Sequence, residues 1–248
     1  MEGEGDGVHY LNVDYADIEG MGQAFKQAGV DTVICAIGVV TLETNQAQLN
    51  LIQAAPLAWY TFEAIESLDN ISLQYTRIVN GWFLDYYGMP YWKSHPRPWI
   101  NIMNMEKKWA AIPGDGSANA TFITTQDMFK FVAHLMDVGE WPAVSFIASE
   151  TLSFNQLVAR AEKARGTGCK FQVAYDSLDK LKSGSISFFQ EFPHVDFVEN
   201  PEAFFATIHY QARLERYRIV NVESLTDRFP EIKMTSAAEV MESSWTGE

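Results

Sequence analysis

The sequence predicts an α/β fold, in which parallel strands alternate with helices that cover the sheet and a mixed α/β region follows. Three observations predict this fold class. Strand and helix patterns alternate over residues 8–79, one strand pattern is apolar throughout, and apolar residues of the second half recur at helical spacing. Strands buried on both faces of a parallel sheet have such uninterrupted apolar runs, and helices connect them.

The first third of the chain contains three strand patterns and three helix patterns. Residues 8–14 predict a short strand, and residues 17–28 predict a helix that Asp17 caps and Gly29 ends. The β-branched run over residues 30–38 predicts a strand that is buried on both faces. The remaining patterns, in chain order, are helices at 46–55 and 59–68 and a strand at 71–79.

The second half mixes helices and strands. Helix patterns follow Thr124, Ser153 and Ser236, and the last two positions fit capping boxes because Gln156 and Glu239 stand three residues later. The other patterns are a helix at 201–218 and strands at 143–148 and 170–175. Residues 86–116 are rich in proline and predict a loop, which gives a soft boundary there.

Composition narrows the class of protein. The chain has 248 residues, of which 47 % are hydrophobic and 20 % are charged, a balance typical of a globular protein. A net charge of −14 repels phosphate backbones and anionic lipids, so we expect neither a nucleic-acid nor a membrane partner. The acidic start does not resemble a signal peptide, and two cysteines make no disulfide framework. We therefore expect a cytoplasmic protein.

Several kinds of site are not indicated by any motif. The five histidines lack metal-ligand spacing, and the sequence contains neither a catalytic serine elbow nor a phosphate-binding loop. No tyrosine has a lysine four residues later, so the acid–base pair of short-chain reductases is not found. Gly3, Gly5 and Gly7 precede a strand pattern rather than follow one, which predicts a flexible tail rather than a dinucleotide-binding turn.

Two segments are candidates for a binding site. Ile37 and Gly38 end the apolar strand pattern, and a glycine there allows a ligand to approach the backbone, although an ordinary turn explains it equally well. Residues 76–92 combine a strand end, the turn pair Asn80–Gly81 and many aromatic side chains. Such a segment forms either the apolar wall of a small-molecule pocket or a core strip between domains, and we favour the pocket.

Several segments together resemble the NmrA-like and isoflavone-reductase-like proteins, which are atypical short-chain dehydrogenases/reductases. The most specific match is residues 76–90, TRIVNGWFLDYYGMP. The other matching segments are 13–15, 31–38, 48–55, 112–116, 125–127, 152–157 and 228–233.

The resemblance implies an NAD(P)-dependent oxidoreductase with a truncated Rossmann-like parallel sheet, covered by helices on both faces. The resemblance also implies NADP as the favoured cofactor, and as the substrate a small organic molecule from fungal secondary metabolism. Residues 1–85 would form a partial cofactor-binding region, and residues 86–248 an interlocked substrate-side region. The cofactor-binding residues it implies are Ile37, Gly38, Asn80 and Gly81. The substrate-binding residues it implies are Trp82, Phe83, Tyr86, Tyr87 and Trp92.

The sequence also departs from the family pattern. The family's first strand and glycine-rich turn have no counterpart, and a block with the catalytic lysine is absent after Ala55. The catalytic residue therefore stays unknown, and the missing turn weakens the expectation of cofactor binding. The alternatives are a non-catalytic redox-sensing regulator with a protein partner and a truncated, inactive homologue. A homo-oligomer is a further expectation.

Overall fold

The computed structural model describes residues 11–30, 32–35, 46–47, 50–51 and 75–247. The chain divides into two compact units, residues 1–73 and 74–248. The predicted division after residue 85 separates a cofactor-binding region from a substrate-side region. Because that division concerns function, it stays a prediction. The sequence patterns at 8–10, 36–38, 52–68 and 71–74 lie outside the described residues.

The first unit contains helix α1, Ile18–Ala28, which confirms the helix predicted there. The Asp17 carboxylate accepts a hydrogen bond from the Gly20 amide at 2.9 Å, which satisfies one of the free amides at the start of the helix. Gly29 ends the helix with φ of +66°, a conformation that glycine adopts without steric cost. Met21 and Phe25 are buried on the apolar side of α1.

Two strand predictions in this unit are wrong where the structure describes them. Residues 11–14 and 32–35 form no strand. Val33 and Ile34 are 38 % and 62 % exposed, although the apolar run predicted burial on both faces. A strand is buried in this way only inside a paired and covered sheet, and no strand among the described residues pairs with residues 32–35.

The described residues of the second unit, 75–247, form eight strands in three small sheets. In chain order the strands are β1 (Arg77–Val79), β2 (Trp82–Phe83), β3 (Met103–Asn104), β4 (Trp109–Pro113), β5 (Asn119–Ile123), β6 (Val144–Phe146), β7 (Glu150–Ser153) and β8 (Gln172–Asp176). The sheet orders are β1–β6, β2–β5–β7 and β3–β4–β8. The pairs β1–β6, β2–β5 and β4–β8 are parallel, and β5–β7 and β3–β4 are antiparallel.

The described part of this unit also contains seven α-helices, four of which follow the last strand. They are α2 (Asp85–Gly88), α3 (Thr125–Met136), α4 (Phe154–Ala164), α5 (Leu178–Lys182), α6 (Pro201–Arg213), α7 (Leu225–Arg228) and α8 (Ala237–Trp245), with a 3-10 turn at Phe189–Glu191. The helices predicted after Thr124, Ser153 and Ser236 are confirmed, and both predicted capping boxes form. None of the helices in the described part of the chain is long and apolar enough to cross a membrane.

The central strands β4 and β5 are covered on both faces. In β5, Phe122 faces the apolar cluster that α4 and α8 complete, and Ile123 faces the cluster that α3 completes. All five residues of β4 are buried. The loop predicted over residues 86–116 is therefore wrong for β3, for the buried strand β4 and for α2. Pro90 lies two residues after α2, and Pro113 is the last residue of β4.

The α/β fold class is confirmed, because parallel strand pairs lie between helices in the second unit.

Candidate functional site

The candidate site lies where the parallel strands β2 and β5 end side by side. Phe83 pairs with Ile123, and the Leu84 amide donates to the Ile123 carbonyl oxygen at 2.8 Å. Each strand passes directly into a helix, α2 after β2 and α3 after β5. In open α/β sheets, ligands bind beyond the carboxyl ends of the strands, so this edge is the place to look for a site.

A fully buried carboxylate, Asp85, connects the two strand ends. One of its oxygens accepts from the Thr125 amide at 2.8 Å, and the other accepts from the Thr125 hydroxyl at 2.6 Å. The Ser94 hydroxyl donates to the carboxylate as well. Thr125 is the first residue of α3, where the helix dipole favours a negative charge. Asp85 thus fixes the segment after β2 against α3.

The turn before β2 approaches β5 closely. Gly81 has φ of +78°, and a Cβ atom at this residue would lie 2.3 Å from the Thr121 carbonyl oxygen. Glycine is therefore required at residue 81, because any side chain there would collide with β5. Asn80, which is half-buried, donates to the Gly81 carbonyl oxygen at 3.3 Å. The turn places the Asn80 amide just beyond the end of β1.

Two of the five predicted substrate-binding side chains, Trp82 and Tyr87, lie in the core. Trp82 is 8 % exposed, and its ring contacts Phe122 at a centroid distance of 6.2 Å. Tyr87 is 1 % exposed and contacts the same Phe122 ring at 6.3 Å. These two rings form the inner layer of the segment.

Phe83 and Tyr86 lie together on the other side of the segment, and both are half-buried. Their ring centroids are 6.4 Å apart. Side chains alternate across a strand, which separates Phe83 from Trp82, and residues three apart share one side of a helical turn, which brings Phe83 and Tyr86 together. The exposed parts of these two rings form a small aromatic surface beside the strand ends.

Two predicted side chains carry buried polar atoms without a hydrogen-bond partner. These atoms are the Tyr87 hydroxyl and the Trp92 indole nitrogen. The Asn101 side chain acts on the Tyr87 hydroxyl without reaching the geometry of a full hydrogen bond. A buried polar group without a partner costs about 1–3 kcal/mol of stability.

The pKa shifts of Tyr86 and Tyr87 follow from the positions of their side chains. Burial raises the pKa of Tyr86, and the neighbouring Asp85 carboxylate raises it further. Burial also raises the pKa of Tyr87 far above its ordinary value, against a smaller opposite effect of Asn101. Both phenols therefore stay protonated at neutral pH, and each can donate a hydrogen bond.

The structure brings seven of the nine predicted site residues into one segment, residues 80–92. Ile37 and Gly38 lie outside the described residues. The described part offers one side-chain amide, Asn80, and two half-buried aromatic rings, Phe83 and Tyr86. In the described part of the chain, no cluster of histidine, cysteine, aspartate and glutamate could hold a metal ion.

Sequence reasoning did not find Asp85, Thr125 or Ser94. Asp85 is 40 positions from Thr125 and 9 from Ser94, and neither spacing corresponds to a helix or strand repeat. The predicted strand there ends at residue 79, and the short strand Trp82–Phe83 was not predicted, so no pattern marked Asp85 as a residue at a strand end.

Known proteins resemble this chain in sequence and in fold. No protein-family model matches the chain. The oxidoreductase swnN of Metarhizium robertsii is 25 % identical over 290 aligned positions, which cover 94 % of this chain and 84 % of that protein. The alignment is longer than the chain, so swnN has residues at positions where this chain has none. The oxidoreductase BOA1 of Botryotinia fuckeliana is 25 % identical over 64 % of this chain and 62 % of its own length.

Solved structures of reductases have the same fold. AtPrR2 in its apo form covers 95 % of this chain and 80 % of its own with a TM-score of 0.65 and 19 % identity. Isoflavone reductase covers 92 % and 79 % with a TM-score of 0.61 and 17 % identity. AtPrR2 with NADP+ and (+)-pinoresinol covers 93 % and 80 % with a TM-score of 0.60 and 17 % identity. The predicted resemblance to isoflavone-reductase-like proteins and the Rossmann-like fold are confirmed.

Proposed function

We propose that this chain is an NAD(P)-dependent oxidoreductase. It has the fold of the isoflavone-reductase-like reductases, and its relatives include fungal oxidoreductases. Its substrate is a small organic molecule, and a fungal secondary-metabolite pathway is the setting that these relatives favour. NADP is the favoured cofactor, because a structural neighbour binds NADP+. The relatives carry the name oxidoreductase, which favours catalysis over a purely regulatory role.

One observation carries the proposal for the site. The carboxyl edge of β2 and β5 presents a half-exposed aromatic pair, Phe83 and Tyr86, and Asp85 fixes the segment that carries it. A reduced nicotinamide supplies a hydride, and a planar ring is the shape that an aromatic surface accommodates. Asn80 lies beyond the adjacent strand end, where its amide can hydrogen-bond a carboxamide.

The protein's own contribution is to bind and orient. Phe83 and Tyr86 offer an apolar contact that excludes water from one side of the reacting groups. The Tyr86 phenol is kept protonated by burial and by Asp85, so it is a hydrogen-bond donor towards a substrate oxygen. We propose it in this binding role, and the acid that completes reduction of a carbonyl group is not assigned.

A titration with NADPH and NADH tests the proposal. Isothermal calorimetry on the wild-type chain should give saturable binding, tighter for NADPH. Phe83→Ala should raise the dissociation constant by roughly five- to tenfold, because it removes the aromatic contact. Phe129→Ala is the matched control, because Phe129 is 53 % exposed on α3 and lies outside the segment 80–92. The absence of saturable binding up to millimolar cofactor would contradict the proposal.

Turnover separates an enzyme from a binding protein. Oxidation of NADPH in the presence of a panel of small aromatic ketones and enones should be faster with the wild-type chain than with Phe83→Ala. Tight NADPH binding with no turnover of any compound on the panel, or equal turnover by the two proteins, would contradict the catalytic role.

The proposal also includes a cytoplasmic site of action and no nucleic-acid partner. The charge of −14 and the two cysteines in 248 residues support this part. A homo-oligomer stays a prediction, which sedimentation of the purified chain would measure.

A further inference from the structure

A groove lies at the carboxyl edge of a different parallel strand pair, β4 and β8. Pro113 pairs with Asp176, and the Gly114 amide donates to the Asp176 carbonyl oxygen at 2.7 Å. The segments that follow β4 and β8 flank a cavity of about 610 Å³. Its walls are formed by Gly114, Asp115, Tyr175, Ser177, Leu178 and Arg213.

The positive charge of the groove comes from Arg213, the last residue of α6. Its side chain crosses Gly114 so closely that a Cβ atom there would lie 2.3 Å from the arginine Nε. Gly114 has φ of +67°, so glycine serves both the turn and the passage of the arginine. Arg213 forms no ion pair with any residue that the structure describes. The guanidinium is therefore available to an anion.

The acidic residue of the groove, Asp115, already accepts hydrogen bonds from within the protein. The Asp115 carboxylate accepts from the Ser117 hydroxyl at 2.6 Å and from the Ser117 amide at 3.1 Å. These bonds lower the pKa of Asp115, with a smaller contribution from the charge of Arg213. Asp115 thus stays ionised, and it weakens the attraction of the groove for ions that carry two or more negative charges.

The apolar wall consists of Tyr175 and Leu178. Tyr175 is 55 % exposed, and its hydroxyl donates to Asn155 Oδ1 at 3.0 Å, which fixes the edge of the ring. Asn155 Nδ2 donates in turn to the Asp115 carbonyl oxygen at 3.0 Å. One asparagine therefore holds both sides of the groove, the tyrosine ring and the turn that carries Asp115.

We propose that this groove binds a singly charged aromatic carboxylate, whose carboxylate pairs with Arg213 and whose ring lies against Tyr175 and Leu178. A guanidinium binds a carboxylate through two parallel hydrogen bonds, and a planar ring matches the face of a tyrosine. The nearby Asp115 carboxylate repels a doubly charged phosphate more strongly than a singly charged carboxylate, which disfavours phosphate. This site is separate from the segment 80–92 and needs no bound dinucleotide.

Calorimetry with 2-naphthoate tests the proposal on the full chain without cofactor. Saturable binding should weaken as sodium chloride is added, because the ion pair is exposed to solvent. The uncharged analogue 2-naphthalenemethanol should bind roughly fivefold more weakly, and inorganic phosphate should not compete. Equal binding of the acid and the alcohol would overturn the proposal, and so would competition by phosphate.

Variants of Arg213 test whether its guanidinium binds the carboxylate of the ligand. Arg213→Gln should weaken 2-naphthoate binding by roughly fivefold, and Arg213→Lys should restore part of it. Arg216→Gln is the matched control, because Arg216 is exposed three residues further on and does not line the groove. Tyr175→Leu is a second variant that tests the apolar wall, and it should also weaken binding. Equal affinities of the Arg213→Gln and Arg216→Gln variants would overturn the assignment.

The two proposals fail independently. Phe83→Ala should leave 2-naphthoate binding unchanged, and Arg213→Gln should leave NADPH binding unchanged. Loss of 2-naphthoate binding in Phe83→Ala would show that the compound occupies the segment 80–92 and would overturn this inference.

Discussion

Asp85 and Thr125 form a two-point hydrogen-bonded contact that joins the carboxyl ends of two parallel strands. The amide of Thr125 lies 2.8 Å from one oxygen of the Asp85 carboxylate, and its hydroxyl lies 2.6 Å from the other. Helix α3 begins at Thr125, and the aromatic residues of the candidate site follow Asp85 or flank it. The geometry of the site therefore depends on a carboxylate that is itself fully buried.

Asp85→Asn should destabilise the chain by about 1–3 kcal/mol, because the amide group would turn one acceptor into a donor opposite a donor. Urea unfolding followed by far-ultraviolet circular dichroism measures the change. Asp137→Asn is the control, because Asp137 is exposed at the end of α3. If the two variants unfold at the same urea concentration, the buried contact contributes nothing to stability.

Gly81→Ala should destabilise the chain by about 2 kcal/mol more than Gly168→Ala. The two glycines have nearly the same φ, +78° and +81°, so the conformational cost is matched. A Cβ atom would lie 2.3 Å from the Thr121 carbonyl oxygen at Gly81, and would meet nothing within 4 Å at Gly168. Thermal unfolding of both variants separates the steric cost from the conformational cost. Equal melting temperatures would contradict the close approach.

His209 should make stability depend on pH in the acidic range. It is fully buried, and burial lowers its pKa to about 4, from an ordinary value of 6.5. The unfolded chain therefore takes up a proton at a higher pH than the folded chain. The stabilising effect of the neutral imidazole is present above pH ~6.5 and is lost as pH falls towards 4.

The contribution of His209 over that range is about 3 kcal/mol. The substitution His209→Gln should remove this part of the pH dependence of the free energy of unfolding. The control His95→Gln, at an exposed residue, should leave this part in place. Denaturant titrations at a series of pH values between 4 and 7 measure the slope. An unchanged slope in His209→Gln would show that the imidazole does not carry the effect.

Saturating NADPH should slow amide hydrogen exchange in residues 80–92, because a bound dinucleotide would cover the half-exposed Phe83 and Tyr86 and restrict the segment. The amides of α6 should exchange at an unchanged rate, because that helix is assigned to the other groove. Mass spectrometry of peptides from both segments gives the two rates in one experiment. Equal protection of both segments would point to global stabilisation instead of binding at this site.

The starts of helices were predictable because the chemistry of their caps is local, whereas the helix predicted at 201–218 ends already at Arg213. Ser153 with Gln156 and Ser236 with Glu239 form the two capping boxes that their spacing indicates. Strands were less predictable because they depend on distant partners. Residues 32–35 have a strand pattern and form no strand, and Trp109–Pro113 is a buried strand inside a segment that its prolines marked as a loop.

The candidate site was predictable in part for the same reason. Aromatic density and the Asn80–Gly81 turn identified the segment, because both are visible in consecutive residues. The sequence could not indicate which rings face inward, since Trp82 and Tyr87 are buried by contact with Phe122 on β5. The role of Asp85 depends on a residue 40 positions away, which no local pattern indicates.

The contact between Trp245 and Tyr87 has a consequence for synthesis. The Trp245 indole donates to the Tyr87 carbonyl oxygen at 2.8 Å, and 158 positions separate the two residues. A ribosome that adds roughly 5–20 residues per second needs on the order of 10–30 s to cover that interval. During this time the aromatic segment has left the ribosome without the helix that covers it, so a nascent chain exposes these rings to chaperones before α8 arrives.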